Sequence, residues 1–178
     1  WIIDPIDGTR SFICGLPVWG TLIGLTRNGA PVLGVMHQPY TGEMFFGDGA
    51  KAWLKHASTT RPLMTRATTE LSEAFLMTTS PALFKGAEAE SYARVESQVK
   101  LARYGTDCYA FAMVAAGHAD IVADPGLQPY DIVGLIALIE KAGGIVTTFD
   151  GGPAENGGDI LAAATPELHQ AAMAVLNG

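Results

Sequence analysis

At 178 residues, 48% hydrophobic and 16% charged, the chain carries enough apolar side chain to fill a globular core, which argues against intrinsic disorder. A formal net charge of −7 with no cluster of Lys or Arg argues against a nucleic-acid or anionic-membrane surface, so a phosphorylated ligand would need metal cations to hold it. No apolar run reaches the length of a membrane span, no signal-like leader is visible, and Cys14 and Cys108 fit no metal-ligand spacing, which leaves reduced thiols in a cytoplasmic protein as the default.

Trp1-Ile2-Ile3 is an apolar run suited to a buried strand, and Pro5, which lacks an amide proton, predicts that the strand stops there. Asp4-Pro5-Ile6-Asp7-Gly8-Thr9 then places two carboxylates, a proline and a Gly-Thr turn in six residues. Two carboxylates about 4 Å apart at an effective dielectric near 20 repel by roughly 4 kcal/mol, a penalty that a divalent ion between them removes. Gly8 lets the backbone approach a ligand, and Thr9 onward can start a short helix whose free amides face an anion. The other reading of these letters is an ordinary turn, because Asp-Gly is a common hairpin connector.

Thr9 to Cys14 is expected to be that short helix, ended by Gly15 and followed by Pro17. Strands are expected over Val18–Thr26 and Pro31–Gln38 around the hairpin signal Asn28-Gly29, then over Glu43–Phe46 and Lys51–Leu54 after the turns at Thr41-Gly42 and Asp48-Gly49. From Arg61 the pattern weakens. A strand is expected at Ala74–Thr78, a helix at Ala87–Lys100, and a helix apolar nearly all round at Asp107–Gly117. Ala119–Ala123 reads as a strand, and Pro129 opens an apolar helix to about Lys141 that Gly143-Gly144 ends. Strands at Ile145–Phe149 and Ile160–Ala164 follow, and Thr165-Pro166 caps a terminal helix. With no repeat or low-complexity linker, residues 1–178 read as a single mixed domain.

Tyr130-Asp131 is a second motif, at the start of the helix that ends in Lys141-Ala142-Gly143-Gly144; a helix-start aspartate is favoured by the dipole in any case. Together with Asp4-Pro5-Ile6-Asp7-Gly8-Thr9, it resembles the signature of the inositol monophosphatase superfamily, magnesium-dependent phosphatases. Gly105-Thr106-Asp107-Cys108-Tyr109 followed by Pro129-Tyr130-Asp131 resembles most the histidinol-phosphate phosphatase branch, because Asp107 stands where the inositol-phosphate enzymes have a small apolar residue.

The resemblance implies an α/β fold of α+β type, a layered αβαβα sandwich of mostly antiparallel sheets, and a homodimer. It implies Mg2+, two or three ions, on Asp4, the Ile6 carbonyl, Asp7 and Asp131, with Thr9 orienting the attacking water in a direct hydrolysis of a phosphate monoester. The substrate would lie on Gly8, Thr9, Gly105, Thr106, Asp107 and Asp124, the last two carboxylates attracting an ammonium or imidazolium group. The plainer alternatives are that Asp107 is a helix N-cap and Asp124 a turn residue before Pro125. Inositol phosphate and a 3'-phosphonucleotide are competing substrates, and a fragment that binds ions and phosphate without turnover is the reading from another class. Family members carry two helices, a hairpin and a Glu-Glu pair ahead of the first motif, so an N-terminally truncated fold with uncovered apolar sheet surface is expected. Arg10 and Arg103 are candidates for phosphate or neighbour-subunit contacts, with surface ion pairs the expectation for each; the four histidines are expected at surface or turn positions, and Trp19, Trp53 and the phenylalanines in the core.

Overall fold

The computed structural model describes residues 1–178. An antiparallel meander forms the first sheet: β1 (Ile2–Asp7), β2 (Gly20–Arg27), β3 (Ala30–Gln38), β4 (Glu43–Asp48), β5 (Lys51–His56) and β6 (Thr59–Leu63), each strand beside the next in sequence. The turn between β2 and β3 uses Asn28 (φ 53°) and Gly29 (φ 86°), the positive-φ pair that matches the twist of a two-residue hairpin. Helix α1 (Thr9–Ile13) lies between β1 and β2.

The second half alternates strands and helices: β7 (Phe75–Thr78), α2 (Ala87–Glu96), β8 (Leu101–Tyr104), α3 (Asp107–Ala115), β9 (Ile121–Leu127), α4 (Pro129–Ala142), β10 (Ile145–Thr148), β11 (Gly158–Ala163) and α5 (Pro166–Asn177). Its sheet has the order β10-β11-β9-β7-β8, with β7 parallel to both β8 and β9 and the other pairs antiparallel. Residues along β9 and β11 alternate between two cores. Val122, Ile160 and Ala162 face α3, α4 and the first sheet, whereas Ile121, Ala123 and Leu161 face α2 and α5. Four of the five expected layers are observed, in the order six-stranded sheet, α3 and α4, five-stranded sheet, α2 and α5, with no helical layer on the outer face of the first sheet. Helix α4 is buried on nearly all sides because both sheets cover it.

Four strands depart from expectation. β1 does not stop at Pro5 but runs through it to Asp7, with a bulge between Asp4 and Asp7; as an edge strand it needs no ladder bond from the proline nitrogen. Nor is it buried, since Trp1 is 73% and Ile3 58% exposed. β6 and β8 carry no alternating apolar signal, and the expected helix to Lys100 ends at Glu96 because Leu101–Tyr104 pairs with β7. β9 likewise continues past Ala123 through Pro125, where a register shift spares the missing N–H. His169 is buried against Thr147 Oγ1 at 2.8 Å, not on the surface, and Phe12 lies outside the core, 46% exposed. No helix is long and apolar enough to cross a membrane.

Glycine places α4. Gly24, Gly34 and Gly47 are cross-strand neighbours on β2, β3 and β4, and a Cβ on any of them would run into the α4 backbone at Gly134, Ala137 or Leu138. The helix axis can therefore approach the sheet closely, which brings its N-terminal turn, and Asp131, to the end of β1.

Asp120, fully buried ahead of β9, ties the second sheet to the β6–β7 connection. Its Oδ2 accepts the Phe75 N–H at 2.8 Å and pairs with Arg66 at 3.1 Å, and the Arg66 guanidinium stacks 4.5 Å from the Phe75 ring centroid. Arg66→Met is expected to destabilise the protein by about 2 kcal/mol, less than for a fully enclosed pair because Arg66 is partly exposed. Urea unfolding checks this, and an unchanged midpoint would mean that solvent already screens Asp120.

Candidate active site

The bulge in β1 turns Asp4 and Asp7 toward the first turn of α4, and one carboxylate oxygen from each of Asp4, Asp7 and Asp131 lies within 4.8 Å of the others. Each carboxylate is held by one backbone N–H. Asp4 Oδ1 accepts from Ile6 at 3.0 Å, Asp7 Oδ1 from Cys108 at 3.1 Å, and Asp131 Oδ2 from Gln128 at 2.7 Å. The last bond belongs to a capping box, so Asp131 both caps α4 and leaves Oδ1 for a ligand. Ile6 sits inside the bulge between the two β1 carboxylates.

Asp7 and Asp131 resist ionising in this setting. Burial pushes Asp7 up to about 7, helped by the charges of Asp131 and Asp4 against the opposing Cys108 hydrogen bonds; Asp131 is raised for the same first reason, and the Cys108 thiol is raised by burial and by Asp7. The donors are all oxygen, and one uncommitted oxygen per residue fits a hard divalent cation such as Mg2+.

The free-ion electrostatics predict a pH dependence. Burial in the folded chain pushes Asp7 up to about 7 from the 3.8 of an exposed aspartate, so the native state binds the extra proton between these values. In ion-free protein that stability is complete below about pH 4 and is lost as pH rises through 7, by roughly 2–4 kcal/mol. Magnesium should therefore raise the melting temperature more at pH 8 than at pH 5. Equal shifts at both pH values would mean that Asp7 is not a ligand.

Beside the carboxylates, Gly8 takes φ 78° as the N-cap of α1, and the first helical bond runs from Phe12 N–H to Gly8 O at 2.9 Å, which leaves the amides before it free. The site opens into a cavity of about 360 Å3. Asp7, Gly8, Thr9 and Arg10 form one wall, Asp107, Asp124 and Asp131 face it, and Leu83, Phe111, Leu127 and Leu135 supply the apolar lining. A larger hollow of about 470 Å3, between α2, α5 and the β10–β11 end, holds none of these groups.

The expected substrate residues divide. Gly8, Thr9, Asp107 and Asp124 line the cavity, whereas Gly105 and Thr106 do not; Gly105 N–H bonds to the carbonyls of Thr78 and Thr79, and Thr106 is the N-cap of α3. Asp107 is thus not the cap; it stands one residue later, at φ 41°, and accepts the Ser11 hydroxyl at Oδ2 over 2.6 Å. Asp124 is a buried strand residue, not a turn. Thr78 Oγ1 at 2.7 Å, Thr79 N–H at 2.7 Å and Thr79 Oγ1 at 3.1 Å bond its oxygens, while burial lifts it to about 6. Neither Arg10 nor Arg103 is in an ion pair. Ser11, Thr78, Thr79 and the Cys108 amide were invisible to sequence reasoning, since each acts through a partner 45 or more residues away; only Gln128, three residues before Asp131, carried a local capping signal.

Comparison with known proteins places the whole chain. The model of the inositol monophosphatase family matches residues 1–177. The bifunctional phosphatase IMPL2, chloroplastic, of Arabidopsis thaliana is 40% identical over 97% of this chain and 52% of its own length, and a histidinol-phosphatase of Chlorobaculum parvum is 34% identical over 85% of this chain and 58% of its own. The chain thus spans little more than half the length of these relatives. The structure of an inositol monophosphatase from Zymomonas mobilis superposes with a TM-score of 0.94 at 34% identity, over 100% of this chain and 70% of that one.

Proposed function

Since this chain belongs to the inositol monophosphatase family, we propose that it is the major part of a metal-dependent phosphate monoester hydrolase, with histidinol phosphate as substrate. The observation that carries the reading is the convergence of Asp4, Asp7 and Asp131 next to the free amides of the Gly8–Thr9 turn. Magnesium ions held by Asp4, Asp7, Asp131 and the Ile6 carbonyl would neutralise the phosphate and lower the pKa of water. The Gly8 and Thr9 amides bind the phosphate oxygens, and the Thr9 hydroxyl orients the attacking water by hydrogen bonding. Leu83, Phe111, Leu127 and Leu135 restrict bulk water on the opposite side.

The preference for an amino-alcohol phosphate rests on Asp107, whose carboxylate lies against the phosphate cradle where a cationic group would be attracted. Asp124 acts at one remove, since its oxygens are committed to Thr78 and Thr79. A neutral polyol phosphate such as inositol phosphate is the second reading, favoured by the likeness to the Zymomonas structure. Phosphate release from both substrates with magnesium tests the choice. Faster release from histidinol phosphate supports the acidic-pocket reading, and no release from either would sink the hydrolase.

A homodimer belongs to the same reading. Trp1, ahead of β1, Ile3 on β1, Phe12 and Ile13 on α1 and Leu16 after it are exposed, apolar side chains of the kind that association covers. Size measurement by light scattering is expected to give a dimer; a monomer that binds no apolar dye would count against it.

A further inference from the structure

The fold gives Asp107 an unusual support. It takes a left-handed φ of 41° at the start of α3, a conformation that strains a residue with a Cβ, although aspartate tolerates it better than most. A Cβ built on Gly8 would stand 3.1 Å from Asp107 Cβ and 3.2 Å from its Oδ2, so this carboxylate lies directly over the Gly8–Thr9 turn. Its Oδ2 is fixed by the hydroxyl of Ser11, a residue of α1 only 7% exposed. Oδ1 is left without a donor from the chain.

We infer that Ser11 is the specificity-positioning residue of the site: its hydroxyl anchors Oδ2 of Asp107 so that Oδ1 is presented to a cationic group of the substrate at a fixed distance from the phosphate cradle. The inference rests on the amino-alcohol phosphate reading above. A carboxylate on a strained backbone has several accessible rotamers, and a short charge-assisted hydrogen bond from a buried, rigid donor selects one. Because α1 also follows directly on Gly8 and Thr9, the same helix that sets the phosphate cradle sets the position of the charge. The separation between phosphate and ammonium recognition is thereby built into one short element. A neutral polyol phosphate would draw no such benefit from an oriented carboxylate.

The test measures kcat and KM for histidinol phosphate and for inositol phosphate, with magnesium, in the protein at its natural length. The variants are Ser11→Ala, Ser11→Thr, Asp107→Ala and the Ser11→Ala/Asp107→Ala double substitution. Ser11→Ala is expected to lower the ratio of the two kcat/KM values roughly tenfold, through a higher KM for histidinol phosphate. Ser11→Thr, which keeps the hydroxyl, should recover most of the ratio, and Ser11→Ala should change the ratio no further once Asp107 is alanine. A purely structural tie between α1 and α3 would depress both substrates alike and overturn the inference, as would an effect of Ser11→Ala that persists without Asp107. A parent ratio below one would sink the substrate reading instead, while a ratio that depends on Ser11 only when Asp107 is present would still uphold the positioning. Should Ser11→Ala not fold, Ser11→Cys, a weaker donor of similar size, is expected to lower the ratio by a smaller factor; an unmoved ratio would again overturn it.

Discussion

Asp4→Asn is expected to lower phosphate release at least about a hundredfold and to abolish the magnesium-induced rise in melting temperature. Asp4 stands in the β1 bulge with one oxygen held by the Ile6 N–H and its carboxylate within reach of Asp7 and Asp131. Asparagine keeps the shape and the turn but removes the anionic donor, so the loss would be chemical, not conformational. The same change removes one of three crowded like charges, and ion-free protein at pH 8 should become more stable even as activity falls. Opposite signs for activity and stability are the signature of a ligand-binding carboxylate cluster. Asp48→Asn, at the exposed end of β4 far along the meander, is the control for a change in overall charge. Parallel losses of stability and activity in Asp4→Asn would mean that the carboxylate serves the fold of β1, not an ion.

Gly34→Ala should be the most damaging single change in the first sheet, destabilising the protein by about 3 kcal/mol or more. A Cβ at Gly34 would fall far inside van der Waals contact with the Gly134 carbonyl oxygen. That oxygen is backbone, so no rotamer change relieves the clash; α4 must lift from the sheet. Gly47→Ala, whose Cβ would stand 2.7 Å from the Ala137 oxygen, should cost less. Urea unfolding of the two variants would give this order, and the reverse order would mean that the sheet, not the helix, yields. Lifting α4 also withdraws Asp131 from Asp4 and Asp7, and a displacement of about 1 Å at a reacting site can cost a hundredfold in rate. The Gly34→Ala protein that remains folded should therefore bind magnesium more weakly, although position 34 touches none of the ligands. Calorimetric titration with magnesium checks that coupling.

The local chemistry of the chain determined a good deal on its own. Alternating strands separated by Asn28-Gly29, Thr41-Gly42 and Asp48-Gly49, and helices opened by Pro129 and Pro166 and closed by Gly117 and Gly143, are set by residues adjacent in sequence, because φ preferences and caps act over one to four positions. Asp4 and Asp7 were legible as ligand candidates for the same reason, since they share a compact motif whose carboxylate, proline and glycine content is unusual within a few letters, whereas Asp131 read locally as an ordinary helix-start aspartate and became a candidate only through its resemblance to the family motif. Sheet edges and long-range partners were not. Whether Pro5 ends a strand or rides along an edge depends on which neighbour β1 acquires, and β6 and β8, with little apolar periodicity, exist because β5 and β7 offer them open ladders. The roles of Ser11, Thr78 and Thr79 were decided only by tertiary structure, which joins residues 45 to 96 positions apart by hydrogen bonds effective over about 3 Å. The Gly24, Gly34 and Gly47 row belongs with them: each letter alone weakens its strand, and only the close approach of α4 makes that lack of a side chain the feature that assembles the site.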